Sequence, residues 1–140
     1  MRIAQPLLIL TLAFTLIFAS CSKKPSKALY AGNGTWTGTI VTLTNASGLV
    51  TKDSATGSWV FTKDGKVKVT PNGSTNAETF KWTYDETHEA VDLTLLDANG
   101  NAVGSAFPYT VTVTKGNTET WVGFKSTTGV SIKSNVSLKK

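Results

Sequence analysis

The sequence is poor in the residues on which most protein chemistry depends. Its 140 residues include one cysteine, Cys21, one histidine, His88, and one arginine, Arg2. A single cysteine has no partner within the chain, which excludes an internal disulfide framework. No Gly-x-Ser-x-Gly elbow or other nucleophile with a matching base is present. We therefore expect a protein that is not an enzyme and that uses no cofactor.

The shortage of arginine also limits the class of partner. After residue 20 the chain holds 13 lysines and nine acidic residues, a net charge of about +4, and the lysines are scattered. Proteins that read nucleic-acid sequence rely on arginine for bidentate contacts with bases. We therefore expect no nucleic-acid partner, and we attribute the positive charge to solubility and to proximity to a membrane surface.

Two short segments contain side chains that metals prefer, but neither predicts a metal site. His88 lies in the acidic segment 85–89, which is typical of a solvated hairpin loop. Asp97-x-Asn99-x-Asn101 is similar to the start of a calcium loop, but Pro108 stands where the closing glutamate should be. We expect no bound metal.

The N-terminus has the pattern of a secretory signal. Arg2 is followed by an uncharged stretch to Ser22, and residues 7–18 are almost wholly apolar. This run is short for a transmembrane helix, which needs about 20 apolar residues. Phe18-Ala19-Ser20-Cys21 resembles the lipobox of bacterial lipoproteins, in which the cysteine is lipidated and becomes the first mature residue.

This resemblance predicts the organisation of the chain and its location. We expect a signal peptide over residues 1–20, a tether over 21–33 and a folded domain over 34–140. Acyl chains on Cys21 would anchor the protein to a membrane of the bacterial cell envelope, with the outer membrane as the favoured location.

From Thr35 onward the apolar residues alternate with polar ones, and turn signals recur at short intervals. This pattern predicts eight strands near residues 35–44, 57–62, 66–70, 78–84, 90–96, 106–114, 119–125 and 129–138. A three-residue loop ending at Gly65 would pair Phe61 with Val67 and Trp59 with Val69, which keeps one hairpin face apolar. Trp121 is ambiguous because it shares a face with Lys125.

One apolar and one polar face on each strand is typical of antiparallel sheets around a single core. Eight sequential strands with short turns favour an all-β, eight-stranded antiparallel up-and-down barrel. The alternative is a two-sheet sandwich of immunoglobulin type, which requires about seven strands and a long crossover connection. The only long connections in the predicted pattern are around residues 45–57 and 97–105.

Gly34-Thr35-Trp36 resembles the Gly-x-Trp motif at the start of lipocalins and related calycins. The segments Trp59-x-Phe61 and Trp82-x-Tyr84 look like those of small lipocalin-like lipoproteins of Bacteroidetes-type bacteria. This resemblance implies a barrel with Trp36 closing one end and, often, a small apolar ligand. A basic residue late in the chain would pack over Trp36, and Lys133 or Lys139 is the expected one.

The sequence leaves two binding modes open. Large rings on the predicted inner face could line a pocket for a small apolar or amphipathic molecule; they belong to Trp59, Phe61, Phe80, Trp82, Tyr84 and Tyr109. The same rings could instead fill the barrel, since a barrel of eight strands can be solid or hold one ligand. A filled barrel would bind a protein or glycan through its loops or outer face.

Asp53-Ser54-Ala55 resembles the three-residue O-glycosylation signal of Bacteroidetes-type secreted proteins. It falls in the predicted polar loop 45–57, where a modifying enzyme could reach it. Ser54 is therefore a candidate glycosylation site.

Overall fold

A computed structural model of the protein describes residues 25–140 and shows a closed barrel of eight antiparallel strands in sequential order. One short helix, α1 (Pro25–Tyr30), precedes the strands. The strands β1 to β8 are, in order, Thr35–Ala46, Leu49–Phe61, Lys66–Pro71, Glu78–Asp85, Ala90–Leu96, Phe107–Lys115, Thr118–Thr127 and Val130–Lys139. The predicted all-β, up-and-down barrel is thus confirmed, and it is compatible with a lipocalin-like fold.

The register of the β2–β3 hairpin is the one that the apolar pattern favours. Phe61 pairs with Val67 and Trp59 with Val69. Gly65 has a φ of 81°, the left-handed conformation that closes a three-residue loop. A shift by one residue would have moved these rings to the solvent face, so burial of the rings fixes the register.

The prediction for the first connection is wrong. Residues 45–57 were expected to form a long loop, but β1 continues to Ala46 and β2 begins at Leu49. The first eight residues of β2 are polar or exposed, so they carry no alternating burial signal. Backbone pairing with β1 nevertheless extends over the whole segment, from Ala46–Leu49 to Thr35–Val60. Ser54 therefore lies in a strand, where its side chain is exposed and its backbone pairs with Val41.

The connections divide the barrel into two ends. The end that carries α1 and the connections 62–65, 86–89 and 116–117 is called the closed end. The end that carries the connections 47–48, 72–77, 97–106 and 128–129 is called the open end.

The helix lies within the segment expected to be a tether. Its residue Leu29 is fully buried against the core. Ser26 donates hydrogen bonds from its backbone nitrogen and its hydroxyl to Glu86, at the β4–β5 connection. Residues 25–30 are thus packed against the closed end, an arrangement that the sequence pattern did not predict.

Candidate functional site

The open end contains a cavity of about 360 Å³. This volume falls within the range of small-molecule sites, roughly 300–1,000 Å³. Its walls are mostly apolar and include side chains from seven strands, among them Ile40, Trp59, Val69, Phe80, Leu93 and Phe107. The cavity is only partly enclosed, so a molecule in solution can reach it.

Two glycines within strands shape the inner wall. A Cβ atom on Gly38 would collide with the ring of Trp59 and would lie 2.9 Å from Leu138. A Cβ atom on Gly123 would lie 2.5 Å from Phe107 and 2.7 Å from Tyr109. Each glycine therefore leaves space for an aromatic ring on the neighbouring strand. Both were missed by sequence reasoning, because a glycine inside a strand does not say which side chain occupies the space beside it.

A layer of aromatic rings separates the cavity from the closed end. The Trp59 and Trp121 rings meet edge to face with centroids 6.2 Å apart, and Phe61 meets Trp121 in the same way at 6.1 Å. Edge-to-face contacts at this distance are favourable arrangements of aromatic rings. Trp121 is fully buried, which resolves the ambiguity of its strand face. Lys125 lies on the same face nearer the open end, where its ammonium reaches Ser105 in the connection 97–106.

The closed end is sealed by contacts among α1, Trp36 and Lys140. The Trp36 indole is 1% exposed and donates a hydrogen bond of 2.8 Å to the carbonyl of Leu29. The Lys140 ammonium lies 4.9 Å from the Trp36 ring centroid. It also donates hydrogen bonds of 3.0 Å to the carbonyls of Ala28 and Ala31, at the C-terminal end of α1.

The basic residue over Trp36 is thus Lys140. The expectation of Lys133 or Lys139 is wrong, because both residues point outward from β8 and are exposed. Gly34 has a φ of 65°, and a Cβ atom there would collide with the backbone carbonyl of Phe61. Gly34 therefore brings the chain from α1 into β1 by a path that other residues would obstruct.

A buried carboxyl group lies beneath this seal. Glu119 is 1% exposed, and its Oε2 accepts a hydrogen bond of 2.8 Å from the Trp121 indole. Its other oxygen, and the hydroxyl of Tyr84, are buried without a hydrogen-bond partner among the described residues. Burial raises the pKa of Glu119 to about 7, although the Trp121 hydrogen bond opposes this shift. Burial, followed by the charge of Glu119, raises the pKa of Tyr84 to about 12.

The structure distributes the six predicted ring residues between two levels of the barrel. Trp59, Phe80 and Tyr109 line the cavity of the open end. Phe61, Trp82 and Tyr84 do not line it; they lie nearer the closed end, where Phe61 meets Trp82 edge to face at 5.8 Å. Alternation tells which face of a strand a side chain occupies, but it does not tell how far along the barrel axis that side chain lies.

Polar groups reach the cavity at few points. The Tyr109 hydroxyl donates a hydrogen bond of 3.2 Å to the Ser134 hydroxyl, and both side chains are buried. Burial raises the pKa of Tyr109, so the phenol stays neutral. Thr42 and Glu78 also line the cavity, and Glu78 stands at the start of β4, where its side chain is exposed.

Three observations concern other classes of site. Cys21, the predicted lipidation site, lies outside the described residues. Within residues 25–140, no group of three or more His, Cys, Asp or Glu side chains is placed to hold a metal ion. Over the same range, no helix is long and apolar enough to cross a membrane.

Comparison of the chain with protein-family models gave no match. Neither the curated proteins nor the solved structures contained a significant match to it.

Proposed function

We propose that the protein is a lipid-anchored binding protein of the bacterial cell envelope that holds a small apolar or amphipathic molecule in the open end of its barrel. The observation that supports this proposal best is the asymmetry of the barrel interior. One half is packed with aromatic rings and sealed by α1, whereas the other half encloses an apolar cavity of about 360 Å³ that is open to solvent.

A barrel of eight strands lies near the limit at which side chains alone fill the interior. Leu29, Phe61 and Trp121 are at most 2% exposed and fill the closed half. Phe80 and Phe107 in the open half are only partly buried. Apolar surface that remains accessible within a concave wall is the usual lining of a site for a small apolar ligand.

The proposed anchor determines how the barrel would face the membrane. Helix α1 begins at Pro25 and packs on the closed end. Four residue steps separate Cys21 from Pro25, a reach of at most about 14 Å for extended chain. Acyl chains on Cys21 would therefore hold the closed end near the membrane. The open end would face away from it, towards the solvent.

The anchor is tested by replacing Cys21 with alanine and fractionating the cells. The variant should leave the membrane fraction or remain unprocessed. A variant that stays in the membrane with its signal removed would contradict the anchor, while leaving the cavity proposal intact.

The cavity is tested with a neutral, water-soluble probe, 4-phenylbutan-1-ol, titrated by calorimetry into the protein in lipid nanodiscs, with empty discs as the blank. Saturable binding that is lost in Ala55→Trp, which places a large ring at the cavity wall, is the expected result. Ala98→Trp is the matched control, because Ala98 lies in an exposed turn. Native mass spectrometry of protein purified from its own host would then identify the natural occupant.

One observation favours the alternative of a module that binds a protein partner. Beyond the end of β3, the segment 49–55 of β2 pairs with β1 alone in the described structure. Leu49 and Val50 on this segment are 69% and 60% exposed. Unpaired strand edges can accept a strand from a partner. A photo-crosslinking residue at Val50 should give a discrete product in intact cells if this alternative holds.

A further inference from the structure

The charge of the cavity wall bears on the class of ligand. Among the described residues that line the cavity, Glu78 carries the one charged side chain. The other polar groups there are hydroxyls, those of Thr42, Tyr109 and Ser134. An amphipathic molecule seated in this cavity would therefore meet a negative charge and neutral hydroxyls, but no positive charge on the wall.

The Glu78 carboxylate is available to a ligand. The backbone of Glu78 pairs with Val69, a cavity-lining residue of β3. Within residues 25–140, no basic nitrogen lies within ion-pairing distance of this carboxylate, and its side chain accepts no hydrogen bond there. The lysine nearest in register, Lys68, pairs with Thr79, so its side chain lies on the outer face of the sheet.

A second carboxylate lies on the same side of the open end. Asp53 is two residues from Ala55 on β2 and therefore shares its strand face, and it pairs with Thr42. Ala55 and Thr42 both line the cavity. Both acidic side chains are exposed, so a charged group placed at the opening would experience attraction screened by water and salt.

Lys125 is a basic residue that could offset the negative charge of Glu78 and Asp53, but its ammonium is already hydrogen-bonded to oxygens of the protein. Its ammonium donates a hydrogen bond of 2.6 Å to the Ser105 hydroxyl and lies 3.4 Å and 3.5 Å from the carbonyls of Ser105 and Ala106. A ligand carboxylate would have to displace these oxygens to reach the ammonium. A ligand ammonium at Glu78 would displace no protein partner.

We propose that the cavity selects small amphipathic amines, with the apolar part of the molecule against Trp59 and Phe80 and the ammonium at Glu78. This inference rests on the proposed function, because it specifies the ligand of the same cavity. Ammonium–carboxylate hydrogen bonds are among the stronger polar contacts, but exposure of Glu78 limits their effect. We expect a preference of about five- to tenfold in Kd over a neutral molecule of the same shape.

The test compares three probes of matched shape: 4-phenylbutylamine, 4-phenylbutan-1-ol and 4-phenylbutyrate. Each is titrated by calorimetry into the protein in nanodiscs. The amine should bind about five- to tenfold more tightly than the alcohol, and the carboxylate most weakly. Glu78→Gln should abolish the preference for the amine and leave the Kd of the alcohol unchanged. Glu89→Gln, an exposed acid at the closed end, is the matched control and should change none of the three.

Each contrary outcome identifies which proposal fails. Equal binding of the three probes, or a preference that survives Glu78→Gln, would overturn the amine inference while the cavity proposal stands. Tightest binding of the carboxylate, lost in Lys125→Met, would overturn it in favour of an anionic ligand. Binding of no probe by protein that retains its cooperative thermal transition would overturn the proposed function and the amine inference together.

Discussion

The two ends of the barrel are made of the same strands but differ in what covers them. At the closed end, α1 places Leu29 over Trp36, and Lys140 holds both the helix carbonyls and the indole ring. At the open end the connections lie around the cavity, and Leu49, Val50 and Val103 are at least half exposed. Alternating burial is clear where β1 and β2 approach the closed end, and it is absent from the first part of β2 at the open end. The strand pattern and the covering helix therefore both favour a solid closed half.

Among the substitutions that test this difference between the two ends, Trp36→Ala should have the largest effect on stability. Loss of a buried tryptophan typically destabilises a protein by about 3–5 kcal/mol, and here the carbonyl of Leu29 and the Lys140 ammonium also lose a partner. Chemical denaturation should show a much lower midpoint. Phe124→Ala, at a position that is 61% exposed, is the control and should change stability by less than about 0.5 kcal/mol. A Trp36→Ala loss below about 1 kcal/mol would show that the closed end is not the stable half.

The next effect concerns pH and the buried Glu119. Its pKa in the folded protein, about 7, lies above the ordinary value of 4.5. Below pH 4.5 the group is protonated in both states and has no effect on stability. As pH rises from 4.5 to 7 the unfolded chain loses this proton first, so stability falls, and the loss is complete above pH 7.

The size of this loss is on the order of 3 kcal/mol, from the difference between the two pKa values. Three other acidic groups have a lowered pKa and affect stability only below about pH 4, outside this range. They are Asp64, Asp85 and Asp97. Glu119→Gln should therefore be more stable than the wild type at pH 8, and its stability should vary little between pH 5 and 7. Urea denaturation at several pH values measures this, and a parallel pH dependence of the two proteins would contradict it.

A smaller effect is expected for the residue that holds the helix. Lys140→Met removes the hydrogen bonds to the carbonyls of Ala28 in α1 and of Ala31 just after it, together with the contact with the Trp36 ring. Since the ammonium is exposed to solvent, we expect a loss of about 1 kcal/mol. Amide exchange in residues 25–30 should accelerate more than exchange in β4 or β5. Lys139→Met is the control. Equal effects of the two substitutions would show that Lys140 does not contribute to the seal of the closed end.

The smallest effect on stability is expected at the open end. Ala55→Leu adds apolar atoms to the wall of a cavity that has room for them, so the free energy of unfolding should change by less than about 0.5 kcal/mol. Binding of 4-phenylbutan-1-ol should weaken all the same. The same kind of enlargement in the packed half, Gly38→Ala, should be strongly destabilising because of the Trp59 ring. Similar losses for both variants would mean that the cavity is not free space.

The fold was predictable because its main determinants are local. Alternation gave the faces of the strands, and the rings of Trp59 and Phe61 allowed a single register for the β2–β3 hairpin. The first part of β2 was not predictable, since its side chains are exposed and it is held by backbone pairing with β1. Helix α1 was missed for a related reason: it spans only six residues, and burial of Leu29 alone does not give a helical period.

The candidate site was predictable only in part. Sequence reasoning selected Trp59, Phe80 and Tyr109, which line the cavity, together with Phe61, Trp82 and Tyr84, which do not. Depth along the barrel depends on strand stagger, which is a property of the whole sheet. Glu78 gave no signal in the sequence, because a single acidic residue at the start of a strand is ordinary.

The pairing of β1 with β8 has a consequence for the order in which the protein folds. Every other strand pair joins neighbours along the chain, but this seam joins Thr37 to Lys139, and Lys140 reaches Ala28 across 112 residues of sequence. Loop-closure entropy makes such a distant contact slow to form. The barrel must remain an open sheet with two free edges until residues 130–139 are available. For a chain exported as proposed, this delay would keep the barrel from closing before β8 has been translocated.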